Sequence, residues 1–345
     1  MSKIMKAMVI HEHGGAENLS FENHPVPQIA ADEVLVEVKA AALNHLDLWI
    51  RQGLPTLKLK MPHILGSDAA GVIAEVGETV KNVKPGDNVL LAPAWGCGAC
   101  QPCLDGNDNY CRDYKILGES TPGVYAEYVK APAENAFQIP TGLTFEEAAA
   151  IPLVYLTAWH MLVEQVKIQP GEVILILAAG SGVGSAAIQI AKLFGAQVIA
   201  TASTEAKLQK ARELGADEII NYSQLDFLDE VKRLTNKAGV DVVFEHVGKS
   251  TWQKSIQSLK KGGRLVTCGA TTGFDPVTDL RYVFFKELKI FGNFMGRKAG
   301  LLKALSFFPE KLKPVIDTTF PLKDAAKAHE RLMKREQFGK VILQP

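Results

Sequence analysis

Four of the five cysteines lie within fifteen positions, with the spacing C-x2-C-x2-C-x7-C: Cys97, Cys100, Cys103 and Cys111. Four thiolates on one glycine-rich loop can surround a tetrahedral metal ion, which is typical of a structural zinc site. A site closed by four cysteines leaves no position for substrate. We therefore expect one structural Zn2+ that braces a lobe at about residues 95–113. Disulfide pairing and unused thiols are the alternative interpretations.

A second pattern is rich in glycine and lies between a predicted strand at residues 172–178 and a predicted helix. Small residues let the backbone approach a pyrophosphate, and the helix amino terminus offers free N–H groups and a partial positive charge. The pattern predicts a dinucleotide cradle made by Gly180, Ser181, Gly182, Val183 and Gly184. A tight turn uses the same residue types and is the alternative.

The end of the following strand decides the choice of cofactor. NAD-binding sites normally place an acidic residue there for the ribose hydroxyls. Ser203 and Thr204 occupy this place and Lys207 follows, so hydroxyls and an ammonium favour the ribose phosphate of NADPH over NADH. Glu205 is close enough to act on the ribose, or it is a first-turn residue of a helix that Thr204 caps.

The elements that must hold these groups change in character along the chain. From residue 6 to about residue 130, short β-rich runs alternate with glycine and proline turns, which predicts an antiparallel, barrel-like half. After Pro152, apolar strands alternate with helices of about a dozen residues, which predicts an α/β fold with a doubly wound parallel sheet. Beyond Phe291 too little chain remains for a third domain, so we expect this tail to return to the first half.

Length and charge limit the class of protein. The 345 residues exceed what one hydrophobic core usually organises, which favours two domains. Lys plus Arg and Asp plus Glu both total 38, so we expect a small-molecule substrate and neither nucleic acid nor membrane as a partner. The amino-terminal apolar run is too short for a signal peptide, and no stretch reaches the roughly 20 apolar residues of a membrane helix. These features predict a cytoplasmic protein.

Across nearly its whole length the chain resembles the medium-chain dehydrogenase/reductase family. The resemblance rests on L-G-S-D-A-A-G-V-I-A-E-V-G at residues 65–77, the four-cysteine lobe, the alternating strands and helices, and the carboxyl-terminal return. It implies a mainly β GroES-like catalytic domain at residues 1–154 and 294–345, and a Rossmann cofactor domain at residues 155–293. It also implies a homodimer or homotetramer that pairs through an edge strand near residues 289–295.

The zinc alcohol dehydrogenases of this family hold a second, catalytic zinc through a cysteine, a histidine and a further cysteine or acid. None of the matching positions carries a good zinc ligand: Asn44, Ser67 and Leu153. His45, Asp47 and Asp68 could hold a metal in an unusual way, or form a hydrogen-bonded structural cluster.

Two segments resemble other branches of the family more closely. A-L-N-H-L-D-L-W-I-R-Q-G is similar to zinc-free quinone oxidoreductases, which implies that Asn44 and Asp47 lie beside the nicotinamide. Later segments, beginning with D-V-V-F-E-H-V-G at residues 241–248, resemble crotonyl-CoA and acryloyl-CoA reductases and imply that His246 is an active-site residue. A satisfied core or capping histidine is the alternative.

Three more residues are assigned by the resemblance alone. It implies that Thr157 lies beside the nicotinamide, that Gly269 lies at the cofactor and that Lys340 lies near the cofactor phosphates. The alternatives are a helix-start hydroxyl for Thr157 and a solvated surface charge for Lys340.

Without a catalytic metal, reduction of an isolated carbonyl lacks its usual stabilisation, whereas a conjugated acceptor delocalises the developing charge. We therefore expect an enzyme, an NADPH-dependent reductase of an activated double bond (enone or enoyl thioester) or a quinone. Asn44 would orient substrate or nicotinamide, and His246 or a water would give the proton. A zinc-type alcohol dehydrogenase acting on alcohols or aldehydes, and a non-catalytic NADPH-binding protein, are the alternatives.

Overall fold

The computed structural model describes residues 3–54 and 57–345. The chain forms two compact units: one comprises Met1–Leu153 and Arg297–Pro345, and the other comprises Val154–Gly296. The first unit is mainly β and the second is a parallel sheet with helices, which confirms the predicted α/β fold class. In the described part of the chain, no helix is long and apolar enough to cross a membrane.

The first unit is built from short strands because glycine and proline turns repeatedly interrupt its β-rich runs. Its strands up to residue 138 are β1 (Ile4–Ile10), β2 (Leu19–Pro25), β3 (Glu33–Ala42), β4 (His63–Ile64), β5 (Asp68–Val76), β6 (Asn88–Leu91), β7 (Ala94–Trp95), β8 (Lys115–Ile116), β9 (Tyr128–Pro132) and β10 (Ala136–Gln138). β3 pairs antiparallel with both β5 and β9, and β6 connects β5 to β10. Two smaller sheets have the orders β2-β1-β4 and β7-β8.

Short helices accompany these strands. They are α1 (His45–Gln52), α2 (Gln101–Leu104) and α3 (Phe145–Ala149), and α4 (Pro152–Trp159) follows at the end of this part of the chain. α1 begins directly after β3, so the residues at its start are held by the longest strand of the sheet.

The second unit is a six-stranded sheet in which all neighbours are parallel. Its strands are β11 (Val173–Ile176), β12 (Gln197–Ala202), β13 (Glu218–Asn221), β14 (Val240–Glu245), β15 (Leu259–Thr267) and β16 (Lys289–Gly292). Parallel neighbours require crossover connections, which carry α5 (Gly182–Leu193), α6 (Glu205–Glu213), α7 (Phe227–Leu234), α8 (Trp252–Ser258) and α9 (Leu280–Phe285). The order β13-β12-β11-β14-β15-β16 reverses direction beside β11, which is where doubly wound sheets bind ligands.

The chain returns to the first unit after residue 296. This part contains α10 (Lys298–Leu305), β17 (Ile316–Pro321), α11 (Ala325–Met333) and β18 (Lys340–Gln344). β18 pairs antiparallel with β3 and parallel with β17, so it lies inside the larger sheet. Residues distant in sequence therefore reach the carboxyl end of β3.

Each unit has its own hydrophobic core. The first includes Val36, Ile73 and Leu91, and the second includes Leu175, Val243 and Leu265. These side chains are almost fully buried. Each core therefore fixes the strands whose ends carry the candidate site residues.

One boundary differs from the sequence-based expectation. The sequence predicts a helix over residues 251–260 and a strand over residues 264–270, but α8 ends at Ser258 and β15 begins at Leu259. The register of β14 and β15 shifts between Val240 and Val242, so β15 accommodates extra residues within the pairing. Local periodicity does not reveal such an irregularity.

Candidate functional site

Asn44 joins β3 to α1 and occupies the N-cap position of the helix. Its side chain is directed to other residues: Nδ2 donates to Asp68 Oδ2 at 2.9 Å, and Oδ1 accepts from Lys340 Nζ at 2.6 Å. Asp47 Oδ2 accepts a hydrogen bond from the backbone N–H of Asn44 at 2.8 Å. This bond gives a partner to an N–H group at the start of the helix. Asn44 is therefore oriented by side chains from both β5 and β18.

Lys340 is buried together with Asp68. Their side chains are 3% and 0% exposed, and Nζ donates to Asp68 Oδ2 at 2.8 Å. The other oxygen of Asp68 accepts the backbone N–H of Leu153 at 2.8 Å. An ammonium has three donors, and two of those of Lys340 have partners among the described residues. Removing one partner of such a buried pair typically costs about 3–5 kcal/mol.

Asp47 and Tyr125 form a second buried pair. The Tyr125 hydroxyl donates to Asp47 Oδ2 at 2.8 Å. Burial raises the pKa of Asp47 to about 6, although hydrogen bonds from the Asn44 backbone and Tyr125 act against this rise. Burial and the neighbouring Asp47 charge raise the pKa of Tyr125 well above its usual value. Tyr125 therefore stays protonated, whereas Asp47 changes charge close to neutral pH.

A buried histidine packs against the same tyrosine. The ring of His329 meets the ring of Tyr125 edge-on, with 5.8 Å between centroids. Burial, with a smaller effect from Arg51, lowers the pKa of His329 to about 3, so its ring is neutral. Neither Tyr125 nor His329 belongs to a motif that the sequence analysis identified.

The three positions that match catalytic zinc ligands make other contacts. Ser67 Oγ donates to the carbonyl of Leu117 at 2.8 Å, and Leu153 contributes only its backbone N–H to Asp68.

His45 packs edge-on against Trp49, and burial lowers the pKa of His45. Among residues 3–54 and 57–345, the four cysteines are the only group of three or more potential ligands close enough to hold a metal. His45, Asp47 and Asp68 do not meet as a ligand set.

The four cysteine sulfurs all lie within 4.8 Å of one another. None of these cysteines is in a disulfide, and Cys100 Sγ lies 3.5 Å from Cys103 Sγ. A tetrahedral zinc with Zn–S bonds of about 2.3 Å separates its sulfurs by about 3.8 Å, so the described arrangement fits the ion. Gly96 makes this approach possible, because a Cβ there would lie 2.5 Å from Cys103 Sγ.

Backbone N–H groups also face the sulfurs. Cys97 donates to Cys111 Sγ at 3.2 Å, and Cys100 donates to Cys97 Sγ at 3.4 Å. Backbone donors, with Ala99 first among them, lower the pKa of Cys97 to about 6, whereas burial raises the pKa of Cys103 to about 12. Such donors stabilise thiolates, which are the metal-binding form of cysteine.

The second unit places the glycine-rich segment at the start of α5, after β11. Ser181 is the N-cap, and its Oγ accepts the backbone N–H of Gly184 at 2.9 Å. A Cβ at Gly184 would lie 2.6 Å from the carbonyl oxygen of Ala178, so this close helix–strand approach requires glycine. The segment has the small residues and helix amino terminus that suit a pyrophosphate.

The end of β12 leads into a capped helix. Thr204 is the N-cap of α6 and accepts the backbone N–H of Lys207 at 3.3 Å. Glu205 is the first residue of that helix, and its Oε1 accepts from Asn221 Nδ2 at 2.7 Å. Ser203 immediately precedes the cap. The roles predicted for Ser203, Thr204 and Lys207 toward a ribose phosphate stay predictions.

His246 follows β14 and is nearly buried. Its Nε2 lies 3.1 Å from the carbonyl oxygen of Leu177 and 3.4 Å from Ser181 Oγ. A carbonyl only accepts, so Nε2 carries the proton in the first contact. A Cβ at Gly269 would lie 3.1 Å from the His246 carbonyl oxygen, so a larger residue there would need a small shift of the loop.

Glu245 shapes the loop that holds His246 and was not singled out from the sequence. Its buried Oε1 accepts the backbone N–H groups of Val247 and Gly248, both at 3.0 Å, and the Thr251 hydroxyl at 2.7 Å. Burial raises the pKa of Glu245 despite these bonds. The E-H-x-G pattern contains Glu245, but the resemblance implied a functional role only for its histidine.

Thr157 lies in α4, and its hydroxyl oxygen is buried with no hydrogen-bond partner among the described residues. A buried hydroxyl normally has a partner, so this atom is consistent with a ligand nearby. The described residues therefore fit a dinucleotide in three respects: the cradle, the loop after β14 and this hydroxyl. The individual roles assigned to Thr157, Gly269, His246 and Lys340 stay predictions.

Comparisons with known proteins agree with this geometry. The family model "Alcohol dehydrogenase GroES-like domain" matches residues 30–141, and the model "Zinc-binding dehydrogenase" matches residues 182–310. The chain is 33% identical to the acryloyl-coenzyme A reductase of Sulfurisphaera tokodaii, over 99% of this chain and 100% of that protein. It belongs to the medium-chain dehydrogenase/reductase family. The two units are the GroES-like and Rossmann domains of that family.

Further members of the medium-chain family match over nearly their whole length. Human quinone oxidoreductase is 30% identical, over 99% of this chain and 98% of that protein. A crystal structure titled as an NAD-dependent alcohol dehydrogenase is 48% identical, with a TM-score of 0.96 and coverage of 99% and 100%. Overall similarity thus establishes an oxidoreductase of the medium-chain family and does not select between alcohols and conjugated acceptors.

The raised pKa of Asp47 has a measurable effect on stability. The protonated carboxyl contributes stability that is present below pH 4 and is lost as the pH rises through about 6. Asp47→Asn stays neutral, so its free energy of unfolding should rise relative to the natural chain by roughly 3 kcal/mol between pH 4 and pH 7. Chemical denaturation of both proteins at intervals of one pH unit measures this difference.

Asp32→Asn, at an exposed carboxylate of the same unit, is the matched control. The cysteines are common to all three proteins, so their protonation cancels in the comparison. A difference between Asp47→Asn and the natural chain that stays constant over this pH range would show that Asp47 is not protonated near pH 6.

Proposed function

We propose that this chain catalyses the NADPH-dependent reduction of an activated double bond, in an enone or enoyl thioester, or of a quinone, without a catalytic zinc. One observation supports this most strongly. Where zinc-dependent relatives place their first ligand, Asn44 is held by the buried ammonium of Lys340 and by Asp68. An amide and an ammonium bind an oxygen atom through hydrogen bonds and charge.

The proposed chemistry follows from these groups. A reduced nicotinamide supplies hydride when it is bound. Asn44 binds and orients the acceptor oxygen through its second amide N–H, and Lys340 and Asp68 hold the amide in that orientation. A conjugated acceptor suits this site, because delocalisation carries the charge from the carbon that accepts hydride to the oxygen.

The acceptor also needs a proton, for which we propose His246 or a water. His246 Nε2 donates to the carbonyl of Leu177, so a proton from this residue comes from Nδ1 of the imidazolium form. Asp47, with a pKa of about 6, changes protonation just below neutral pH and supports the orientation of Asn44 by accepting its backbone N–H.

We also propose NADPH as the cofactor. Ser203, Thr204 and Lys207 offer hydroxyls and an ammonium near the end of β12. The bond from Asn221 holds the Glu205 carboxylate toward the end of β13, which supports its assignment to the first turn of α6. NADH is the alternative.

Steady-state assays with an enone, an enoyl thioester, a quinone and simple alcohols and aldehydes test the proposed activity. We expect turnover of conjugated acceptors with NADPH, and a decrease of about 100-fold in kcat/KM for Asn44→Ala, because one oriented hydrogen-bond donor is lost. Asn82→Ala is the control, since this amide belongs to an exposed residue of the same unit and donates to the carbonyl of Ala133 at 2.8 Å.

Turnover of simple alcohols or aldehydes alone would contradict the reductase proposal and favour the alcohol dehydrogenase. Tight NADPH binding with no turnover of any acceptor would favour a non-catalytic NADPH-binding protein. A clear preference for NADH would contradict the proposed roles of Ser203, Thr204 and Lys207.

We propose that the four clustered cysteines hold one structural zinc. Elemental analysis should find one zinc per chain in the natural protein, and close to none in Cys103→Ser, because a hydroxyl replaces a thiolate ligand. Cys268→Ser is the control and should retain one zinc. Two zincs per chain would contradict the metal-free active site and support the alcohol dehydrogenase.

We further propose that the second unit forms the contact of a homodimer or homotetramer. β16 is the edge strand of its sheet, and the segment around it exposes large apolar side chains: Phe274, Phe284, Phe285, Ile290 and Phe294. The side chain of Phe274 is 90% exposed. If the edge strands of two chains paired across a two-fold axis, the contact would cover the open edge of β16 and the exposed apolar side chains around it.

Light scattering of the eluted protein tests the oligomer. Ile290→Glu places charge on the edge strand and should convert the oligomer to monomer at micromolar concentration. Leu302→Glu, at an exposed apolar residue of the first unit, should leave the oligomer intact. A monomeric natural protein, or an unchanged mass for Ile290→Glu, would refute this assignment.

A further inference from the structure

A cavity of about 280 Å3 lies in the second unit, at the amino ends of β14 and β15. Gly239 precedes β14 and lines the cavity, as does Leu259 at the start of β15. Residues from α7, the segment after it, the end of α8 and α9 complete the lining. None of the residues discussed for cofactor or substrate lines this cavity.

The charged residues that line the cavity are all lysines. Three lysines, Lys232, Lys237 and Lys286, line the cavity, and none of its described lining residues is acidic. Lys232 also pairs at 3.0 Å with Asp229, whose side chain is 73% exposed. The cavity therefore gathers three lysine side chains, of which Lys232 is paired with a carboxylate outside the lining.

Lys286 is held in place at the cavity. Its Nζ donates to the carbonyl oxygens of Gln257 at 2.9 Å and Leu259 at 2.5 Å, and it lies 5.5 Å from the centroid of the Tyr282 ring. An ammonium has three donors, so one remains for a ligand. Burial, with repulsion from Lys232, lowers the pKa of Lys286. An anion in the cavity would relieve that repulsion.

The remaining lining sets the shape and polarity of a ligand. Leu228, Val231 and Leu259 give an apolar surface, and Tyr282 adds an aromatic ring. Lysine ammoniums are point charges that suit phosphate, whereas planar carboxylates are matched best by the fork of arginine. Three such charges also suit an anion with more than one negative charge. The volume is at the lower limit of small-molecule sites, so the ligand is small.

We propose that this cavity binds a small phosphate-bearing compound, with Lys232, Lys237 and Lys286 facing the phosphate. Free phosphate and the phosphate group of a small organic compound share this chemistry. The site is distinct from the dinucleotide cradle, because the cradle follows the carboxyl end of β11 and the cavity lies at the amino ends of neighbouring parallel strands. The two edges are separated by the length of a strand, roughly 15 Å.

Isothermal titration calorimetry of the full chain, saturated with NADP+ so that the cradle is filled, tests the proposal. The titrants are inorganic phosphate and phenyl phosphate, and the expected stoichiometry is one per chain. Lys237→Met should weaken binding about tenfold through loss of one charge, and it should fold normally because Lys237 is exposed. Lys81→Met, at an exposed lysine of the first unit, is the control for net charge and should bind as the natural chain does.

Tighter binding of phenyl phosphate would support the proposal and assign an organic phosphate, whereas equal binding would support it and assign free phosphate. Absence of binding would overturn it. Equal affinities of Lys237→Met and Lys81→Met would also overturn it, as would binding that is seen only without NADP+. These outcomes are independent of which acceptor the enzyme reduces.

Discussion

Burial of the Lys340 ammonium constrains the first unit more than any other interaction described. A charge with almost no exposure is tolerated only when its partners are in place, and those partners are Asn44 and Asp68. The pair connects β18 to β5 and to the start of α1. The Asn44 side chain is bonded to Lys340 and Asp68. The backbone N–H of Asn44, at the start of α1, instead donates to the carboxylate of Asp47. Asp47 in turn accepts the hydroxyl of Tyr125.

The two units use different physical means to prepare a site. The first unit positions side chains through buried ionic and hydrogen-bonded contacts, so changes there affect stability and orientation together. The second unit relies on backbone: the start of α5, the close approach at Gly184 and the loop that Glu245 organises. The cysteine lobe uses side chains and backbone together. Its sulfurs accept backbone N–H groups, and Gly96 lets the backbone approach them closely.

Local sequence was sufficient for features made within one segment. The four cysteines span fifteen positions and do meet, and the glycine-rich segment does begin a helix after a strand. It was insufficient for contacts between distant residues. Lys340 and Asp68 are 272 positions apart, and Tyr125 and Asp47 are 78 apart. Those contacts depend on how β18 pairs with β3 and on how the segment before β9 bonds to β1, which residue spacing does not specify. The position of Lys340 near the cofactor phosphates stays a prediction, but the alternative, a solvated surface charge, is wrong, because its ammonium is buried with Asn44 and Asp68.

The central place of β18 has a consequence for biosynthesis. A ribosome completes residues 154–296 before it makes Lys340, so the parallel-sheet unit can fold while the sheet of the other unit still lacks an inner strand. Until β18 arrives, Asp68 and Asn44 lack the ammonium of Lys340, and the carboxyl end of β3 retains an open edge. A nascent chain that ends between residues 296 and 340 therefore contains the complete glycine-rich cradle but lacks the polar cluster at Asn44. That cluster can therefore form only after residue 340 has been translated.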